Sequence, residues 1–262
     1  KMSDQLSVPD HITQEGQTYK DSFDHGAERW TLAGILQNSS NVGMIMAGEN
    51  YPDEQRYEYL TKFGIGQPTG LNLPGESSGL LTNPSAWDLR TRNTILFGQG
   101  YTVNALQLNN VVATIANKGV KQQQSIIKST TDANGKTTET KKGEATRVVD
   151  EKVASDMMNA MESVAEGYNK FVKVDGYRMA AKSGTAEVQG SDGTLSSIIS
   201  DYSVVIPADN PRYAVTVVMK DPNGVFGGLT AGPVSAQICE FLMQKYEVPV
   251  SGPRKNAIPV TW

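Results

Sequence analysis

Cysteine and histidine, the residues that build most metal and redox sites, are nearly missing from these 262 residues, with one of the first and two of the second. A single cysteine excludes an intrachain disulfide and any cysteine-based metal site. Cys239 lies in an apolar helical pattern and reads as a small core hydrophobe. His11 and His25 have no third ligand of the usual kind near them, so they read as surface or loop residues, and neither a metal nor a cofactor is expected. No apolar run approaches the roughly 20 residues of a membrane-spanning helix. There is no basic block either: 24 Lys and Arg stand against 28 Asp and Glu, and the pI is near 5.3. Nucleic acid is therefore excluded as a partner, because neutralising phosphates needs clustered cations.

What is present is enough chain for one large domain or two smaller ones. Residues 5–27 read as irregular, with short extended pieces around Leu6-Ser7-Val8-Pro9 and Gln17-Thr18-Tyr19, split by the turn-prone Glu15-Gly16. The spacing of Trp30, Leu32, Ile35 and Leu36 predicts a helix from about Ala27 to Gln37. It stops at Asn38-Ser39-Ser40-Asn41, small polar residues that compete for backbone hydrogen bonds. Val42 to Ala47 resume a helical pattern, and Pro52-Asp53 opens another helix, with Tyr57, Leu60 and Phe63 inward, that ends at Gly64. Residues 64–100 read as a long ordered loop with Leu71, Leu73, Leu80, Leu81 and Trp87 as anchors. The glycine-spaced Leu96-Phe97-Gly98-Gln99-Gly100-Tyr101 lacks a Walker lysine and reads as a tight turn before a helix carrying Leu108, Val111, Val112 and Ile115.

The polar residues 120–147 hold Asn134-Gly135, which favours a hairpin. Asp150 is placed to cap a helix with Val153, Met157, Met161 and Val164 on its stripe. Three strands follow, over Tyr177–Val188, Tyr202–Ile206 and Tyr213–Met219, with a turn-rich stretch at Gln189-Gly190-Ser191-Asp192-Gly193. Pro233 suits the first turn of a closing helix carrying Val234, Ile238, Phe241 and Leu242. The end running to Trp262 reads as a surface strap. Helices first and an antiparallel sheet packed by helices later make the fold class α+β.

One stretch holds chemistry: Met179-Ala180-Ala181-Lys182-Ser183-Gly184-Thr185-Ala186-Glu187-Val188. In a strand Lys182 and Gly184 share one side, and Ser183 and Thr185 share the other. A glycine there permits close approach of a ligand or another backbone. A cation with hydroxyls around it suits a carboxylate-bearing ligand, although an ordinary edge strand with a solvated lysine fits these residues equally. Far upstream, Ser39-Ser40-Asn41 sits at a helix break, where capping alone is a sufficient account.

Together, Ser-x-Asn and a later Lys-Ser-Gly-Thr strand resemble two parts of the three-part site of penicillin-binding proteins. The likeness extends along nearly the whole chain. It takes in Thr31 to Gly43, Phe97-Gly98-Gln99-Gly100, Leu106-Gln107-Leu108, Gly176-Tyr177, Ala208 to Tyr213 and Gly232-Pro233-Val234. The chain is similar to class B penicillin-binding proteins. The resemblance implies a penicillin-binding-protein/β-lactamase-like transpeptidase fold, an antiparallel sheet packed by helices plus a mainly helical region. Residues 1–250 would be a partial, N-terminally truncated transpeptidase domain and 251–262 a C-terminal tail. It implies a D,D-transpeptidase on the outer face of the bacterial membrane, anchored by an upstream segment. The enzyme would cross-link peptidoglycan stem peptides ending in D-Ala-D-Ala, bind β-lactams and work beside cell-wall synthesis or divisome membrane proteins.

By the same resemblance Ser39, Asn41 and Lys182 are catalytic, and Ser183, Gly184 and Thr185 bind substrate. The Thr185 backbone N–H is half of an oxyanion hole. A weakly nucleophilic serine needs an adjacent base, and the family places both on a Ser-x-x-Lys helix turn ahead of the Ser-x-Asn element. That element is not found there. Ser125-Ile126-Ile127-Lys128 follows it, in a polar, strand-like segment where residues three apart face opposite ways, and reads as a decoy. The nucleophile is therefore expected upstream of this chain. The other readings are a non-catalytic scaffold or β-lactam sensor, and a carboxypeptidase or β-lactamase, for which no deacylating base is evident.

Overall fold

The computed structural model describes residues 1–188, 193–224 and 226–262. Residues 189–192, the core of the expected turn-rich stretch, lie outside the described residues, as does Val225. The chain opens with strands β1 (Gln5–Val8), β2 (His11–Gln14), β3 (Gln17–Lys20) and β4 (Glu28–Thr31). β2 and β3 form a hairpin whose turn residues Glu15 and Gly16 both have positive φ, 47° and 79°. His11 is thus a strand residue. β1 pairs antiparallel with β4, setting Leu6 opposite Trp30. The helix expected from Ala27 therefore begins only at Leu32. Thr31 ends the strand and caps helix α1 (Leu32–Asn38), its side chain accepting from Gly34 N–H. Trp30 belongs to the strand's alternation, because its partner strand lies more than twenty residues earlier in the sequence.

Helices α2 (Asn41–Gly48) and α3 (Asp53–Phe63) follow as expected, and α3 ends on Gly64 at φ 102°. The buried residue of α3 is Arg56, which donates to the carbonyls of Gly48 and Arg92, while Tyr57, Leu60 and Phe63 are half-buried. Residues 64–100 hold a 3-10 turn at Pro84–Ala86 and helix α4 (Leu89–Leu96), capped by Asp88. Its middle, Arg90 to Thr94, is polar, so helical periodicity did not announce it. Trp87 is buried and Leu71 and Leu81 are half-buried, but the Leu73 and Leu80 side chains are exposed, and Leu80 is tied to Thr102 through its backbone. Helix α5 (Ala105–Ala116) starts in a capping box between Asn104 and Gln107.

Two exposed ribbons come next. Strands β5 (Val120–Gln122) and β8 (Ala145–Arg147) enclose β6 (Ser129–Thr131) and β7 (Thr137–Glu139), the last two joined through Asn134-Gly135. In helix α6 (Glu151–Gly167) Asp150 occupies the cap position without a side-chain bond. The buried stripe of α6 runs through Ala154, Met158, Met161, Val164 and Ala165, so Met161 and Val164 are buried as expected while Val153 is exposed.

Strands β9 (Ala180–Val188), β10 (Ser197–Ile206) and β11 (Tyr213–Lys220) form an antiparallel sheet in the order β11-β10-β9. The closing helix α7 (Gly227–Lys245) starts six residues before Pro233, which lies inside it. It buries Ala231, Ser235, Cys239 and Met243, and leaves Ile238 and Phe241 exposed. The short side chains let α7 approach the sheet, where it covers Ala181, Tyr202, Val204 and Ile206. Burial pushes the Cys239 thiol up to about 12, which makes it an inert core group. The opposite face carries Ala180 and Val205 against Val112 of α5 and Met158 and Met161 of α6. This α+β arrangement leaves β9 at the sheet edge among the described residues.

The C-terminal residues strap the two halves together. Val260 O accepts from Thr31 N–H, the guanidinium of Arg29 lies 3.8 Å over the Trp262 ring, and Ser251 N–H donates to Gly176 O. Arg254 reaches Glu166 at 2.6 Å and the Ser163 hydroxyl at 3.0 Å. Its neighbour Glu162 is buried and accepts from Arg178 at 2.7–2.9 Å. Glu162→Ala leaves two guanidiniums side by side without their shared carboxylate. We expect a loss of about 3 kcal/mol, because breaking a buried pair strands its charged partner. A denaturant midpoint that stays put would contradict this reading of the strap.

Candidate active site

The break at residues 38–41 is built by hydrogen bonds that the motif itself does not announce. Ser39 ends α1 in the left-handed region, φ 53° and ψ 40°, a conformation that a non-glycine residue adopts at a cost and that clusters at functional sites. Ser40 is fully buried. Its hydroxyl accepts from Gly43 N–H at 2.8 Å and donates to Asp21 at 2.6 Å. The other Asp21 oxygen accepts from Val42 N–H at 3.0 Å, so a carboxylate closes the amino end of α2. His25 Nε2 lies 3.0 Å from Asp21 and packs beside Trp30. Asn41, the first residue of α2, donates from its amide to Lys20 O at 3.1 Å. Ser39 is left exposed at the rim.

Strand β9 faces that rim. Lys182 Nζ donates to Ser39 Oγ at 2.8 Å, across 143 residues of sequence, and to Ser183 O at 2.6 Å. Alternation sends the next side chain to the other face, where Ser183 Oγ meets Tyr168 OH at 3.1 Å. Tyr168 in turn packs edge-on against buried Tyr202, ring centroids 5.9 Å apart. Thr185 Oγ1 accepts from Gly227 N–H at 3.2 Å, which sets the strand against the amino end of α7. A Cβ on Gly227 would lie 2.2 Å from Asp201 O and 2.5 Å from Gly184 O, and one on Gly228 would lie 2.1 Å from the Tyr168 ring. Both glycines are there for close approach.

Gly184 differs from the expectation of ligand approach. A Cβ there would lie 2.0 Å from Asp201 Oδ2, so the space over this glycine is filled by a carboxylate of the neighbouring strand. Burial pushes Asp201 up to about 6, with Lys182 opposing the shift. Burial also brings Lys182 down to about 8, opposed by Asp201. The Tyr101 hydroxyl, in the tight turn before α5, is raised by burial and by the charge of Asp201. Chemically, the wall offers an ammonium bonded to a hydroxyl, two further hydroxyls able to donate to an anion, and an open strand edge for an extended ligand.

Lys182 therefore meets Ser39 on the face of β9 that also carries Gly184. Ser183 and Thr185 lie on the strand's other face beside Tyr168 and the start of α7, and Asn41, two residues beyond Ser39, is turned to Lys20. Ser125 and Lys128 lie elsewhere, in an exposed irregular link between β5 and β6 rather than a strand, and Ser125 Oγ donates to Ile127 O at 3.0 Å. Asp21, Tyr168 and Asp201 went unread in the sequence, Tyr101 was read only as part of a turn, and His25, read as a surface or loop residue, has its side chain buried against Asp21. The one signal for Asp201 was an acid in an apolar strand, just before the expected start at Tyr202. No group of three His, Cys, Asp or Glu able to hold a metal occurs among the described residues.

Residues 1–240 match the family described as the penicillin binding protein transpeptidase domain. Penicillin-binding protein PbpB of Mycolicibacterium smegmatis is 34% identical over 260 residues, covering 94% of this chain and 40% of that protein. Peptidoglycan D,D-transpeptidase FtsI of Escherichia coli is 37% identical over 213 residues, covering 79% and 34% respectively. Among solved structures, a peptidoglycan synthetase from Bifidobacterium adolescentis is 68% identical with a TM-score of 0.96, covering 100% of this chain and 48% of that one. Penicillin binding protein 3 of Mycobacterium tuberculosis, complexed with ampicillin, is 31% identical with a TM-score of 0.91, covering 100% and 61%. The chain thus spans about two fifths of the length of the curated relatives it matches most fully.

The Asp21 cluster predicts a pH dependence. Burial works against a charged His25, but the bonds to Asp21 and Gly26 O outweigh it and raise the imidazole above its usual value. A raised folded value stabilises fully below the unfolded value, about 6.5, and that contribution is lost as pH rises through the folded one. His25→Gln is therefore expected to cost more stability near pH 5.5 than near pH 8.5, read from denaturant midpoints. A gap that widens with pH would contradict the ion pair.

Proposed function

We propose a function from one plain premise: the chain belongs to the penicillin-binding protein transpeptidase domain family. The protein that contains it is a serine-type peptidoglycan D,D-transpeptidase. It cross-links stem peptides ending in D-Ala-D-Ala outside the cytoplasmic membrane, binds β-lactams and works with membrane proteins of cell-wall synthesis or division. The observation that carries this reading is the 2.8 Å contact of Lys182 Nζ with Ser39 Oγ, which joins two distant motif elements into one wall.

In this proposal the nucleophile is a serine outside the 262 residues, and this chain supplies the wall that receives its substrate. The stem peptide lies along the outer edge of β9 as an added strand. Its terminal carboxylate takes hydrogen bonds from the Ser183 and Thr185 hydroxyls, and the positive end of α7 behind Thr185 favours the same charge. The serine oxygen attacks the penultimate carbonyl carbon as its proton passes to the adjacent lysine base of the Ser-x-x-Lys element. The oxyanion that forms accepts from Thr185 N–H and from the nucleophile's own N–H, and such donors are worth about 10²–10³ in rate each. The C–N bond then breaks, and the leaving D-alanine nitrogen takes a proton through Ser39, which Lys182 orients. The Asn41 side chain holds the substrate backbone amide. An acceptor amine attacks the resulting ester, loses its proton and forms the cross-link, while the serine oxygen regains a proton. A β-lactam follows the first half and stops at the ester.

Intact-mass analysis of the full-length protein after penicillin treatment tests this. One covalent adduct is expected, on a serine outside residues 1–262. A folded protein with no adduct, or an adduct on Ser39 or Ser125, would refute it.

A further inference from the structure

We propose that Asp201 is a positioning residue of this cleft: from the neighbouring strand it holds Lys182 in its ammonium form against Ser39, and Gly184 is a glycine because the Asp201 carboxylate lies across it. The register supplies the geometry. Gly184 stands opposite Asp201 and Lys182 opposite Ser203 in the β9–β10 ladder, so Lys182 and Asp201 are diagonal neighbours on one face. Diagonal pairs lie about 7–8 Å apart at the backbone, within reach of a long side chain. The carboxylate is not drawn away from that face. Its Oδ2 sits 2.0 Å from where a Gly184 Cβ would be, and Oδ1 sits 3.0 Å from the same point. Any larger residue at 184 would turn it aside.

Lys182 needs such a neighbour. Its Nζ is bonded to a hydroxyl and a carbonyl, both neutral, in a partly buried cleft, and burial disfavours its charge. Other groups packed on β9 are already engaged or remote. Glu162 and Glu166 of α6 are bonded to Arg178 and Arg254, and Tyr168 lies on the far face with Ser183. Ser39 at the end of α1 is neutral, and Glu240 and Lys245 of α7 are exposed toward its other end. The Tyr101 hydroxyl, raised by burial and by Asp201, carries no charge at neutral pH. Burial disfavours the charge of both groups, and each opposes the shift of the other. Between about 6 and about 8 both are charged, so the pair spans neutral pH.

The electrostatic part of this inference stands without the acyl-transfer reading, and only its kinetic consequence rests on that reading. Competitive amine labelling of the full-length protein with acetic anhydride, read by peptide mass spectrometry across pH, gives the Lys182 midpoint directly. Asp201→Asn keeps the shape and removes the charge, so the midpoint is expected to fall by roughly half a pH unit or more. Asp201→Glu restores it toward the wild-type value, which a merely structural role would not do. Asp201→Ser gives the same reading should the asparagine variant fail to fold. The alkaline limb of penicillin acylation is expected to move with the labelling midpoint. A Lys182 midpoint unchanged in the uncharged variants overturns the inference. A midpoint that moves in a protein that penicillin never acylates upholds it and counts against the acyl-transfer reading instead.

Discussion

The Lys182–Ser39 hydrogen bond is the constraint on which the rest of this molecule depends. It joins a helix end in the first fifth of the chain to an edge strand in the last third. Each partner is prepared separately. Ser39 is delivered in a left-handed conformation because Ser40 and Asp21 anchor the start of α2 directly behind it. Lys182 is delivered by the β9–β10 ladder, whose two faces are packed by α7 and by α5 with α6. Loosening either support would separate two groups that must meet within hydrogen-bond distance.

The approach of α7 follows from the same requirement. Gly227 and Gly228 are poor helix residues by intrinsic propensity, yet they open the closing helix because side chains there would strike Asp201, Gly184 and Tyr168. That contact seats Thr185 on a helix amino end and holds the strand edge still. A weak local preference is accepted where it places the edge strand. The same strand pair explains Gly184, whose missing side chain is occupied by a carboxylate rather than by a ligand.

Local signals carried much of this into the sequence. Asn38 to Asn41 marked a true helix break, Gly64 and Asn134-Gly135 marked real turns, and the alternation around Lys182 put its neighbours on the correct faces. Long-range effects were hidden. β4 is a strand because β1 pairs with it, and nothing near Trp30 says so. Pro233 lies inside α7 because glycine packing, not the proline, sets where that helix starts. Asp201 and Asp21 escaped notice for a related reason, since each acts on a residue reached only through folding. The motif residues were legible, whereas the carboxylates packed beside them were not.

The most direct measurement is the structure of the full-length protein acylated by a penicillin. The account places the ester carbonyl oxygen about 2.7–3.2 Å from Thr185 N–H, the drug's carboxylate on the Ser183 and Thr185 hydroxyls, and Lys182 still bonded to Ser39. A bound drug whose carbonyl and carboxylate both lie away from β9 would contradict it.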